Sequence, residues 1–273
     1  MFELKQFLNL NSFRAFGAAF AGFDKILNWK LLRGSHYFPG PDGGTCVNEA
    51  AIVAAGYPYQ AVRSIDDCPA SFSRPAATYA MFLNDLIEND ELRARVLMPF
   101  VIGLEGSADG AESEKARAEL IVLRTASAIL APALLRLGFF EASEKLRVIA
   151  SPYDLIGFKQ ELFGTAIRWP APPSWMDQAL SELADAAYAC LRSDFVGAAK
   201  CAAITAANVA QGMQRTSRRR GHRAMARVYH QAGEILGSAL RLGKQGGVIG
   251  TEAAGRLDKA KRKAAPDNLV RIS

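Results

Sequence analysis

Cysteine and histidine are both scarce, with four and three residues in a chain of 273. Cys46, Cys68, Cys190 and Cys201 form no C-x-x-C pair, and their density is too low for a disulfide framework. His36, His222 and His230 lie at no zinc-ligand spacing, so no metal set is expected. No apolar run approaches the roughly 18 uncharged residues that a membrane span needs. The nearest, Ala15–Phe23, is followed by Asp24 and Lys25, where a signal peptide would place small residues for cleavage. No membrane span is expected, and a cytoplasmic setting is. β-Branched residues nowhere alternate with polar ones over a useful length, which argues against strands. No repeat of fixed period is present, and no cofactor motif: the glycine-rich segment near residue 40 lacks the lysine of a phosphate loop.

What the chain has in quantity is apolar and helix-forming material. Half of it is hydrophobic and 22% is charged, the balance of a globular protein. Apolar residues recur at helical spacing through most of its length. The expected fold is all-α, an irregular bundle of about eight or nine helices with a basic C-terminal helical unit. Pro170, Pro172 and Pro173 make the best linker. They divide a helical body (1–170), containing the Gly/Pro-rich loop 34–46, from an Ala-rich helical unit (174–244) with a basic last helix. A basic, loosely ordered tail (245–273) follows. Expected helix starts include Thr45, Ser73, Asp90, Ser174 (with Asp177 three residues on) and Thr216 or Ser217. Pro132 should bend a long helix over Glu112–Leu137.

Charge is unevenly spread. From Gln214 to Ser273 there are 14 Lys and Arg against 4 Asp and Glu, a balance of +10. The rest of the chain carries 19 against 23, a balance of −4. A mildly acidic body with a basic end is the layout of a partner-binding protein. Arg215, Arg218, Arg219, Arg220, Arg223 and Arg227 fall within 13 residues, and the last three share a helical face. Lys259, Lys261, Arg262 and Lys263 form a second cluster. So many arginines repel one another unless phosphates, carboxylates or solvent neutralise them, and nucleic-acid backbone is the commonest such partner. A solvated face, or contact with the protein's own acidic body, is the competing explanation. Only Tyr229 supplies a nearby aromatic ring, so sequence-independent backbone contact fits better than base stacking.

A second candidate lies earlier. The loop Gly40-Pro41-Asp42-Gly43-Gly44-Thr45 feeds Cys46 into a short helix that Gly56 and Pro58 end. With Thr45 as cap, Cys46 falls at the first helical position, where the helix dipole favours thiolate. A thiol enzyme, hydrolase or transferase, would use Cys46 as nucleophile, His36 as base and Asp42 or Glu49 to orient the imidazole, unless Glu49 serves only to cap the helix. The alternative is a small buried residue beneath a loop.

Gly43-Gly44-Thr45-Cys46 with Glu49-Ala50-Ala51 and Ala54-Ala55-Gly56, then Leu83-Asn84-Asp85, then Leu97-Met98-Pro99-Phe100, resembles an uncharacterised family of bacterial helical proteins. The resemblance covers residues 31–104, and implies a helical module without indicating a mechanism. Three functional expectations therefore stand. The first is a non-enzymatic helical protein that contacts nucleic acid, or an acidic nucleoprotein partner, through its basic end. The second is the Cys46 enzyme. The third is a subunit of a larger assembly, docking a protein partner through a Phe-rich N-terminus (Phe13, Phe16, Phe20, Phe23).

Overall fold

The structure, a computed structural model, describes residues 29–35, 44–158, 160, 173–216, 220–243 and 250–264. Expectations for the Phe-rich N-terminus, His36, Asp42, Arg218 and Arg219 lie outside these residues. Among the described residues the fold is all-α, and the one β-feature is an isolated bridge between Leu31 and Thr45. The described residues hold nine helices: α1 (Val47–Ala55), α2 (Arg74–Leu86), α3 (Asp90–Leu97), α4 (Ala111–Arg136), α5 (Phe140–Val148), α6 (Ser174–Leu191), α7 (Phe195–Thr216), α8 (Gly221–Leu240) and α9 (Gly250–Ala264). Short 3₁₀ turns occupy Ile65–Asp67, Met98–Gly103 and Pro152–Leu155.

Local chemistry sets the ends of these helices. α1 opens on a capping box in which the Cys46 thiol accepts from Glu49 N–H at 3.4 Å and the Glu49 carboxylate accepts from Cys46 N–H at 2.9 Å. It closes at Gly56, whose φ of 91° is the left-handed region that glycine enters cheaply. Cys46, not Thr45, is thus the cap. The Thr45 hydroxyl is occupied by Trp29 Nε1–H at 3.0 Å, and Thr45 backbone groups pair with Lys30 and Leu32. Ser73 caps α2 as expected, with Pro75 in its first turn. The cap of α3 is Asn89, one residue before Asp90, its Oδ1 accepting from Leu92 N–H at 2.7 Å. α6 starts directly behind Pro173 with no side-chain cap, so Ser174 and Asp177 are its first turn. α7 runs through Thr216, and α8 starts at Gly221 after Arg220.

The long helix α4 contains a π-helical stretch over Thr125–Leu130, immediately before Pro132. Proline has no N–H to give the carbonyl four residues back, and its ring crowds that carbonyl. A locally widened turn accommodates both effects. α4 is also long and apolar enough to cross a membrane by length and composition alone, although about half of its apolar stretch is buried in this core.

α7 is the central helix. Ala198, Ala199, Ala202, Ala203, Ala206, Ala207 and Ala210 are all buried, and these small side chains let it pack closely on α6, α8, α2 and α4 together. Gly212 crosses the Trp175 ring so closely that a Cβ there would lie 2.0 Å from it. The buried residues form one cluster running from Trp29 to Leu257, so the core spans both sides of the proline-rich linker. Past residue 245 the basic stretch holds α9, which seats Ala253 and Leu257 against α1. Arg256 there donates to Ala54 O at 3.0 Å, satisfying a carbonyl at the open end of α1.

Candidate functional site

Two places were singled out by sequence, and the structure treats them differently. Cys46 is 2% exposed and serves as the α1 cap. Burial, then the neighbouring Glu49 carboxylate, pushes its thiol well above the usual cysteine range. Glu49 itself is fully buried and accepts from Ser35 Oγ–H (3.0 Å), Cys46 N–H and Val62 N–H (3.1 Å). It also binds the Tyr59 phenol, whose pKa is raised chiefly by burial and next by Glu49. The surroundings of Cys46 thus disfavour its thiolate. Burial likewise raises the other thiols, Cys68 and Cys190 to about 12 and Cys201 to about 11.

Asn84 and Asp85 tie the same region together. The Asn84 amide donates to Leu32 O (2.8 Å) and accepts from Val47 N–H (3.2 Å), while Asp85 accepts from Gly34 N–H (2.9 Å). All of these contacts fix chain direction around α1. Among the described residues no three His, Cys, Asp or Glu side chains gather to hold a metal ion.

The basic end forms a groove. Arg220 precedes α8, and Arg223 and Arg227 stand one and two turns along it, so all three point to one side. The facing wall is the end of α4, which contributes Arg136 and Leu137. The end of α7 closes the groove with Met213 and Thr216. The resulting space is about 650 Å³, and no carboxylate is among the described residues that line it. All four arginines are exposed. Arg136, Arg220 and Arg227 make no ion pair among the described residues. The start of α8 approaches α7 closely: a Cβ on Gly221 would lie 2.2 Å from Gln214 O.

The rest of the chain uses arginine in another way. Arg93, 1% exposed, donates to the carbonyls of Asn84 (2.6 Å) and Ile87 at the end of α2, and pairs with Asp90. Arg117, fully buried, donates to Ala239 O (3.1 Å) and Leu242 O at the end of α8, and pairs with Asp109 (2.7 Å) and Glu114 (2.9 Å). These guanidinium groups are saturated by helix ends and carboxylates. Arg93 and Arg117 are buried, whereas the four in the groove are exposed.

Of the basic residues picked out by sequence, Arg220, Arg223 and Arg227 line this groove. Arg215 is exposed near it at the end of α7 without lining it, and Lys259, Lys261, Arg262 and Lys263 belong to α9 on the α1 side. α9 packs on α1, whereas α8 packs on α7 and α4. Arg136 was missed because nothing in a Leu-rich helix shows which distant helix its last turn will meet. On the opposite flank of α8 lies a smaller cavity of about 320 Å³, where His222 Nδ1 sits 3.3 Å from Gln214 Nε2 beside Glu88, Glu91 and Tyr229.

No protein-family model, curated protein or solved structure matches the chain. What the molecule does has to be read from its own geometry.

Proposed function

We propose that this is a non-enzymatic, helical nucleic-acid-binding protein that holds phosphate backbone in the groove between α4 and α8. The observation that carries this reading is the convergence of Arg136, Arg220, Arg223 and Arg227 on one 650 Å³ space with no carboxylate among the described residues that line it. Elsewhere the chain neutralises its buried arginines with Asp90, Asp109 and Glu114. Exposed arginines gathered on one space repel one another, and a polyanion removes that repulsion, releasing its own counterions as it binds. In this reading Cys46 is structural: its thiol caps α1 and has no role in chemistry.

The test is fluorescence anisotropy of a labelled oligonucleotide with the full chain across a salt series. Four phosphate contacts give a log–log slope of about −3 to −4. Replacing Arg220, Arg223 and Arg227 together by Ala should weaken binding at least tenfold and bring the slope close to −1. Absence of binding at low salt, or a triple variant that binds as well as the parent, would overturn the proposal.

A further inference from the structure

A phosphate-binding groove, if that reading holds, still has to match the form of its polyanion, and here the shape is decisive. A helix that reads duplex DNA must stand proud of its domain, because it has to enter a major groove about 12 Å wide and 8.5 Å deep. α8 does not stand proud on its arginine side. That side opens on a space of about 650 Å³ shared with Arg136 and Leu137 at the end of α4 and with Met213 and Thr216 at the end of α7. The remaining sides of α8 are also engaged: Val228, Ala232, Ile235 and Leu236 are buried, and Tyr229 donates to Leu86 O at 3.0 Å. The guanidinium groups are therefore set into a trough.

The floor of the trough is informative as well. Leu137, Met213 and Ala224 lie between the arginines, an apolar strip among four cations. A duplex keeps its base faces stacked away and would offer that strip nothing apolar. A single strand offers unstacked base faces together with its phosphates, and planar guanidinium groups can take a base on one side and a phosphate at the edge. The volume is that of a site for a small ligand, about one or two nucleotides, and not of a duplex turn.

We infer that the α4–α8 groove is a site for single-stranded nucleic acid, with phosphates held between Arg136 on one wall and Arg220, Arg223 and Arg227 on the other. An unstacked base lies over Leu137 and Ala224, the half-buried apolar residues of that lining. Arg136, far from the basic stretch in sequence, is a binding residue in its own right.

The experiment compares three labelled probes on the full chain at one salt concentration: oligo-dT, oligo-U and a duplex of equal length. Both single strands should bind at least tenfold more tightly than the duplex. Arg136→Glu should weaken single-strand binding at least tenfold, and Arg136→Gln about threefold. Arg192→Glu removes the same charge at the far end of α7, about 33 Å away along 22 residues, and should change affinity less than twofold. Thermal melts of each variant confirm that the fold is retained. Equal or tighter duplex binding, or an Arg136→Glu variant indistinguishable from Arg192→Glu, would overturn the inference while leaving phosphate binding intact. Failure of every probe to bind at low salt would overturn both.

Discussion

Arg117 occupies a fully buried position, yet it carries a charge, and every part of its head group is used. Two carbonyls at the end of α8 and two carboxylates surround it. Removing one partner of such a network strands the rest in low dielectric. Arg117→Met is therefore expected to lose about 3–5 kcal/mol of stability in urea unfolding, most of it from Asp109 and Glu114 losing the charge that neutralises them. A change under 1 kcal/mol would show that water reaches these groups.

Cys46 makes the opposite kind of prediction. Because burial raises its thiol, as it does those of Cys68, Cys190 and Cys201, alkylation of the native protein should be slow at pH 8 and fast only after unfolding. A thiol reacting within seconds in the native state would reopen the enzyme reading. Cys46→Ala removes the α1 cap and should cost about 1 kcal/mol. The sequence showed that a helix begins here, but not which residue caps it. That choice depends on Trp29 having already taken the Thr45 hydroxyl, a contact that only the folded chain creates.

His230 supplies a pH dependence. Burial, then nearby Arg95, holds its imidazole below the usual histidine value of about 6.5. The native state thus keeps it neutral where the unfolded chain takes up a proton. Its contribution is complete above the unfolded value and is lost as pH falls from there toward the lower native one. Melting temperature should drop more between pH 7 and 5 for the parent than for His230→Gln. Identical profiles would contradict this.

At the scale of elements, periodicity made most of the helices legible, because a buried stripe is written in the spacing of Leu, Ala and Val. Pro132 likewise marked where α4 departs from regular geometry. Helix starts were less legible. Asp90, Ser174 and Thr216 are all good cap residues, but Asn89 precedes the first, Pro173 fixes the chain at the second, and α7 runs on through the third. Close helix crossings were not legible at all, since a glycine in a helix does not announce its neighbour. Gly212 is the clearest: Gly212→Ala places a methyl group inside the Trp175 ring and should cost about 1–3 kcal/mol by forcing α6 and α7 apart. A stability equal to the parent's would mean that Trp175 swings aside freely.

At the scale of the whole molecule, the charge asymmetry of the sequence pointed to the basic end of the chain but not to the groove that α8 lines there with α4. Packing separates what composition had grouped. α9 packs on α1, while α8 brings its arginines against the end of α4. The groove exists only because α7 positions α6, α8, α2 and α4 around one alanine-rich core. No window of sequence contains both of its walls.

The most direct measurement on that groove is photocrosslinking of the full chain to an oligonucleotide bearing 4-thiothymidine, followed by mapping of the labelled residues. Adducts should concentrate on Arg136–Leu137, Met213–Thr216 and Arg220–Arg227, and should vanish at high salt. Adducts on α9 or around Cys46, with the groove unlabelled, would contradict phosphate binding between α4 and α8.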